Sequence, residues 1–224
     1  EVGRDLRRTA WPVLAHSEFD LRAYDRAETA YQQVLALTDE KAPNRGALSE
    51  RLAASVYKQG EQARAAGRER DAANHFLRVA ILAPAAAIRA TAEYDAAAVL
   101  IALKDWGAAA GVLETFRRSY PKHPLQAEIP GKLAVCYLEG GQPLKAATEF
   151  EAMAAGGKDA KFSREILWQA AELYEKAGHE KNAAAAYERY VKQHPNPLEP
   201  AIEARYRLAL LNKLVRAFHR VADL

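Results

Sequence analysis

"ETFRRSYPKHP" (residues 114–124) and "ERYVKQHPNP" (residues 188–197) are one phrase written twice. Glu114 answers to Glu188, Phe116 to Tyr190 and Pro121 to Pro195, each 74 residues further on. Half that distance is obeyed as well. Ala72, Ala109, Ala146 and Ala183 stand 37 apart, as do Phe76, Leu113, Phe150 and Tyr187 and, three residues on, Val79, Phe116, Met153 and Tyr190. Pro84, Pro121 and Pro195 share a phase, with Lys158 in the slot between the last two. Upstream run Gly60, Ala97, Ala134 and Ala171, then Ala63, Leu100, Tyr137 and Tyr174. An earlier copy carries Ala27, Tyr31 and Val34, 45 residues before the next, so "DEKAPNRG" reads as an eight-residue insertion in a loop.

Each copy reads as two helices. Ala-x3-aromatic-x2-apolar is the i, i+4, i+7 spacing of one helical face. Gly67, Gly141 and Gly178 stand where a first helix ends and positive φ is needed. Pro143 suits the first turn of a second helix, and the prolines of "SYP" and "QHP" end helices because the residue before proline is disfavoured in α geometry. One such pair cannot bury its own apolar face, so stacked neighbours are required. The expected fold is all-α, a solenoid of antiparallel helix pairs. Its copies fall at about 5–39, 48–84, 88–121, 125–158 and 162–195, with a partial one at 200–224, in a single domain over 1–224.

Composition agrees. Half of the 224 residues are apolar and 27% are charged, with few glycines and prolines. The net charge of +3 is too balanced to mark a nucleic-acid or anionic-membrane surface by itself. No apolar run reaches the roughly 20 residues needed to span a bilayer, and "EVGRDLRRTAW" has no signal-peptide core. The chain begins at Glu1 without Met, which reads as a piece of a longer protein. The single cysteine, Cys136, lies in "LAVCYL" and reads as a buried, inert thiol.

The repeated positions resemble the tetratricopeptide repeat, W-x2-L-G-x2-Y, A-x3-F, P. Trp11-x2-Leu14 with Ala27-x3-Tyr31, Gly60 with Ala72-x3-Phe76 and Pro84, and Ala171-x2-Tyr174 with Ala183-x3-Tyr187 and Pro195 carry the likeness. The third copy departs most, with Leu113 in an aromatic's place. The longer period and the phrase "YPKHPLQAE" are similar to the family's bacterial envelope type, found in the Tol-Pal coordinator and the outer-membrane assembly lipoprotein. That resemblance implies a periplasmic or outer-membrane-associated location.

The resemblance also implies that the pairs wind into a right-handed superhelical solenoid and that first helices line its binding groove. Matched by position, the groove would present Tyr57, Tyr94, Gly131, Trp168 and Arg205, then Glu61, Ala98, Val135 and Glu172, then Arg64, Ile101, Leu138 and Glu175. Tyr57, Tyr94 and Trp168 are the expected anchors, Ile101 and Leu138 their apolar companions, and Arg64 and Arg205 the orienting charges. The same rings would equally serve packing between copies. The Lys and Asn clamp that grips a C-terminal carboxylate in some relatives has no counterpart here. The expected partner is a protein or peptide, with no nucleic acid, no membrane insertion in this segment and an open oligomeric state. Six scattered histidines form no ligand-spaced set, and no nucleophile, phosphate loop or acid–base couple appears, so neither enzyme activity nor cofactor nor metal is expected. His123 and His194, beside helix-ending prolines, read as surface linker residues. The alternatives are a substrate-recruiting segment of a larger enzyme and a spacer or oligomerisation module.

Overall fold

The computed structural model describes residues 2–157 and 159–222, with side chains for 9–157 and 159–213. Lys158 lies outside the described residues. The chain divides into two compact units, Glu1–Tyr120 and Pro121–Leu224.

The first unit holds α1 (Val2–Asp20), α2 (Tyr24–Leu37), α3 (Arg45–Ala65), α4 (Glu69–Leu82), α5 (Arg89–Ala102) and α6 (Trp106–Ser119). The second opens with a 3-10 turn at Pro124–Glu128 and continues through α7 (Ile129–Glu139), α8 (Pro143–Gly156), α9 (Ala160–Lys176), α10 (Glu180–Gln193) and α11 (Leu198–Ala222). Within each unit a helix packs chiefly on the helices before and after it in the chain. This is the nearest-neighbour arrangement of a solenoid. Among the described residues all regular structure is helical.

Five turns of one design reverse the chain inside the pairs. Gly67, Gly141 and Gly178 take φ of 72°, 70° and 72°, as their spacing predicts. The equivalent residues of the first and third copies are not glycines, yet Arg22 (φ 61°) and Lys104 (φ 58°) adopt the same left-handed conformation. In every case the next N–H reaches back five residues to a helix carbonyl. Ala23 donates to Glu18, Arg68 to Ala63, Asp105 to Leu100 and His179 to Tyr174 at 2.9 Å, and Gln142 to Tyr137 at 2.7 Å. That bond is the Schellman closure, which satisfies carbonyls the helix end leaves free.

The core follows the period. Ala72, Ala109, Ala146 and Ala183 are fully buried, and so are Phe76, Leu113 and Tyr187 one turn on, whereas Phe150 is half-buried. Each large side chain removed from water contributes about 1.5–3 kcal/mol. Small residues on the first helices receive these rings. At Gly60 an added Cβ would stand 2.5 Å from the Phe76 ring. Cys136 is buried as expected, and burial pushes its thiol pKa up. The buried carboxylate Glu28 is satisfied by Gln59 at 2.6 Å, by Gln32 at 3.2 Å and by Arg78.

The insertion after the first copy is not the long loop that the sequence suggests. The α2–α3 connection, residues 38–44, is only one residue longer than the α4–α5 connection, residues 83–88. One period before Arg89 is position 52, yet α3 already begins at Arg45. The extra residues therefore extend α3 by two turns. Leu48 and Leu52, one turn apart and both buried, give this extension an apolar face. The Arg45 guanidinium donates to the carbonyls of Leu35 (2.9 Å) and Thr38 (2.7 Å), tying the new helix start to the end of α2.

Candidate partner-binding cleft

Trp168 is half-buried on α9, and its ring is held from three sides. It meets Tyr187 edge-on at 5.5 Å and 74°, and Tyr190 at 5.2 Å and 70°. The Arg207 guanidinium of α11 lies 5.4 Å from its centroid. Edge-to-face pairs and a cation over a ring each contribute on the order of 0.5–1.5 kcal/mol beyond area burial, so the indole is fixed in place before any ligand arrives.

Helix α10 packs against both α9 and α11, and a cleft of about 1100 Å³ opens between those two first helices. Trp168 and Tyr190 supply its aromatic wall, and Leu198, Pro200 and Ile202 the apolar wall opposite. Leu198 and Ile202 are 61% and 54% exposed. The rim carries Glu165, Glu172, Glu199 and Glu203 against Arg164.

Arg207 braces the two helices. It contacts Glu203 (2.8 Å) on its own helix, and Glu175 (3.2 Å) and Glu172 (3.7 Å) on α9. The hydrogen bond to Glu203, foremost among these, raises its pKa further above an already high value. Tyr187 donates its hydroxyl to Glu175 at 2.9 Å, and burial, then this carboxylate, push its phenol pKa up. Sequence reasoning placed Glu172 and Glu175 on the groove face but missed Arg207, the residue that engages them. The available signal was that Arg207 occupies the phase of Ala96, Leu133 and Ala170, all fully buried.

The remaining expected site residues lie elsewhere. Tyr57 is half-buried, packs on Phe76 at 5.1 Å, and donates its hydroxyl to Asp95 on α5 at 2.5 Å. Tyr94 is half-buried against Phe116 at 6.0 Å, and Ile101 is half-buried. Arg64 is exposed, its guanidinium 5.7 Å from the Phe76 ring. Leu138 and Val135 are 38% and 46% exposed on α7. At Gly131 a Cβ would meet only Met153 Cε, at 3.8 Å. Arg205 is exposed and does not line the cleft. Of the expected groove positions the cleft thus brings together Trp168 and Glu172.

Two histidines differ from the linker role expected of them. His123 Nδ1 accepts the Leu125 N–H at 3.2 Å and caps the 3-10 turn. His194 is half-buried beside Tyr190 at 5.6 Å with its Nε2 enclosed and, among the described residues, without a hydrogen-bond partner. Burial, then Arg164, push its imidazole pKa down.

Among the described residues no helix is long and apolar enough to cross a membrane. Residues 165–197, which carry Trp168 and Tyr190, match the family model of the tetratricopeptide repeat. No curated protein matches the chain. Among solved structures, one similar chain is a putative kinesin light chain of Podosopora anserina with nearly identical TPR-like repeats. It is 18% identical, with 84% of this chain and 95% of that one covered at a TM-score of 0.42. A thermophilic TPR protein of Thermus thermophilus is 19% identical over 90% and 99% of the two chains, with a TM-score of 0.35. The Pseudomonas aeruginosa pilF protein is 14% identical over 97% and 94%, with a TM-score of 0.40.

Proposed function

We propose that this chain is an array of tetratricopeptide-type helix pairs acting as a non-catalytic scaffold. It holds a protein or peptide segment in the cleft between α9 and α11. The observation that carries this reading is the pairing of a pre-set indole with two large aliphatic side chains left in water across an open cleft. Exposed apolar surface beside a fixed aromatic anchor is what a binding site offers and a plain spacer lacks. Because the helices are stacked before contact, little ordering cost falls on the binding step. Tyr57 and Tyr94 act in this proposal as packing residues first, and Leu138 with Val135 as a second, smaller contact surface. The phrase "YPKHPLQAE" supports a working location in the bacterial envelope, which fractionation of the native cells tests directly.

Photo-crosslinking in native cells tests the cleft. A photoreactive residue at position 168 or 202 gives a discrete adduct with one partner. The same residue at Val34 (4% exposed) or Leu113 (fully buried) gives none. Silence at both cleft positions in a folded, expressed protein would leave the spacer reading in its place.

A further inference from the structure

Resting on the cleft proposed above, we infer that the segment it takes is basic and amphipathic, presenting aliphatic or aromatic side chains to the Trp168 wall and Lys or Arg to the rim.

The charges argue this. The chain as a whole is net positive, at +3, yet the cleft is lined by four glutamates and one arginine. Arg207 already engages Glu172 and Glu203. Glu165 and Glu199, one on each side, have no ion-pair partner among the described residues, and both are exposed. Carboxylates left without counter-charges beside low-dielectric apolar walls concentrate negative potential in the opening. A cationic segment gains from that field, and an acidic one is turned away by it. The few donors in the lining, Arg164 and Gln169 beside the Trp168 indole N–H, do not make an anion site.

The apolar pattern sets the shape. Leu198, Ile202, Tyr206 and Leu210 follow one another at i, i+4 along α11 and are 61%, 54%, 60% and 45% exposed. That row runs for roughly 18 Å at the helical rise, the length of about three turns of a partner helix. A helix with one aliphatic stripe flanked by Lys and Arg matches both features.

The test uses the full chain and two labelled synthetic helices of about four turns with the same leucine stripe, one bearing lysines and the other glutamates. Fluorescence anisotropy should show the Leu/Lys peptide binding about tenfold or more tighter at low salt, the advantage shrinking as salt rises from about 0.05 M to about 0.5 M. The double variant Glu165→Gln, Glu199→Gln should lose most of that preference while keeping the apolar part of binding. Leu198→Ser with Ile202→Ser should weaken both peptides. All four side chains are exposed, so circular dichroism should stay unchanged. Equal binding of the two peptides, or preference for Leu/Glu, overturns the basic partner and leaves the cleft standing. No binding of either, or binding indifferent to the serine pair, overturns the cleft itself. Self-association abolished by the serine pair would make a second copy the occupant and overturn the inference.

Discussion

The second and fifth copies hold equivalent residues three periods apart and use them differently. Trp168 stands where Tyr57 does, Ala171 where Gly60 does, Glu175 where Arg64 does, and Tyr187 where Phe76 does. In the second copy the Tyr57 hydroxyl reaches Asp95 on the next first helix, so α3 and α5 are stitched together by the group that would have faced a ligand. In the fifth copy Trp168 has no hydroxyl to give, and the residue in the phase of Asp95 is Tyr206, 60% exposed. Arg207, where α5 has Ala96, ties α11 to α9 through Glu172 and Glu175 instead. A repeat position fixes where a side chain stands. The residues just past one period further on decide whether the space beside it is closed or open.

The comparison breaks most sharply at the small residues. Gly60→Ala places a methyl 2.5 Å from the Phe76 ring and should cost about 1–3 kcal/mol of stability by overpacking. The reverse change in the fifth copy, Ala171→Gly, should cost only about 1 kcal/mol, chiefly through helix propensity. Urea denaturation measures both, and equal losses would mean that the two copies seat their rings alike. Next in size, Tyr57→Phe removes the stitch between α3 and α5 and leaves Asp95 without its donor, an expected loss of about 1–2 kcal/mol. An unchanged midpoint would show that the hydroxyl does not hold these helices.

The caps sharpen the comparison further. Lys104 adopts φ of 58° with a Cβ, so Lys104→Gly should stabilise by about 0.5–1 kcal/mol, while Gly178→Ala should destabilise by about as much. A smaller effect depends on pH. His75 accepts the Arg78 guanidinium at 3.1 Å, and burial, then Arg78, push its pKa below the ordinary 6.5. The folded state therefore favours neutral imidazole. Its contribution is present in full above pH 6.5 and is lost as pH falls through the depressed folded value. Thermal melts of His75→Gln should be less sensitive to acidification than those of the parent.

Most of the architecture was legible because it is periodic. The alanine ladder, the glycine turns and the proline stops are local rules that each copy repeats, and they locate the helix pairs. What escaped were the places where one copy departs from the others. The extra residues near Arg45 look like loop because Pro43, Asn44 and Gly46 surround them, yet Leu48 and Leu52 give the chain reason to continue as helix. Arg207 sits in a phase that predicts core, and its side chain is long enough to leave that core and reach carboxylates. Tyr57 and Trp168 look alike as anchors, since the hydrogen bond that separates them depends on a partner 38 residues away. Of the candidate site, Trp168 and Glu172 were visible, and the wall formed by Leu198 and Ile202 was not.

The five left-handed turns also act as a ruler. Gly141 and Gly178 end equivalent helices with the same carbonyl closure, so excising residues 142–178 would join Gly141 to His179 turn against turn. Such a chain lengthens or shortens cleanly by whole periods, each one second helix with the first helix after it. Cuts of any other length strand part of an apolar face in water.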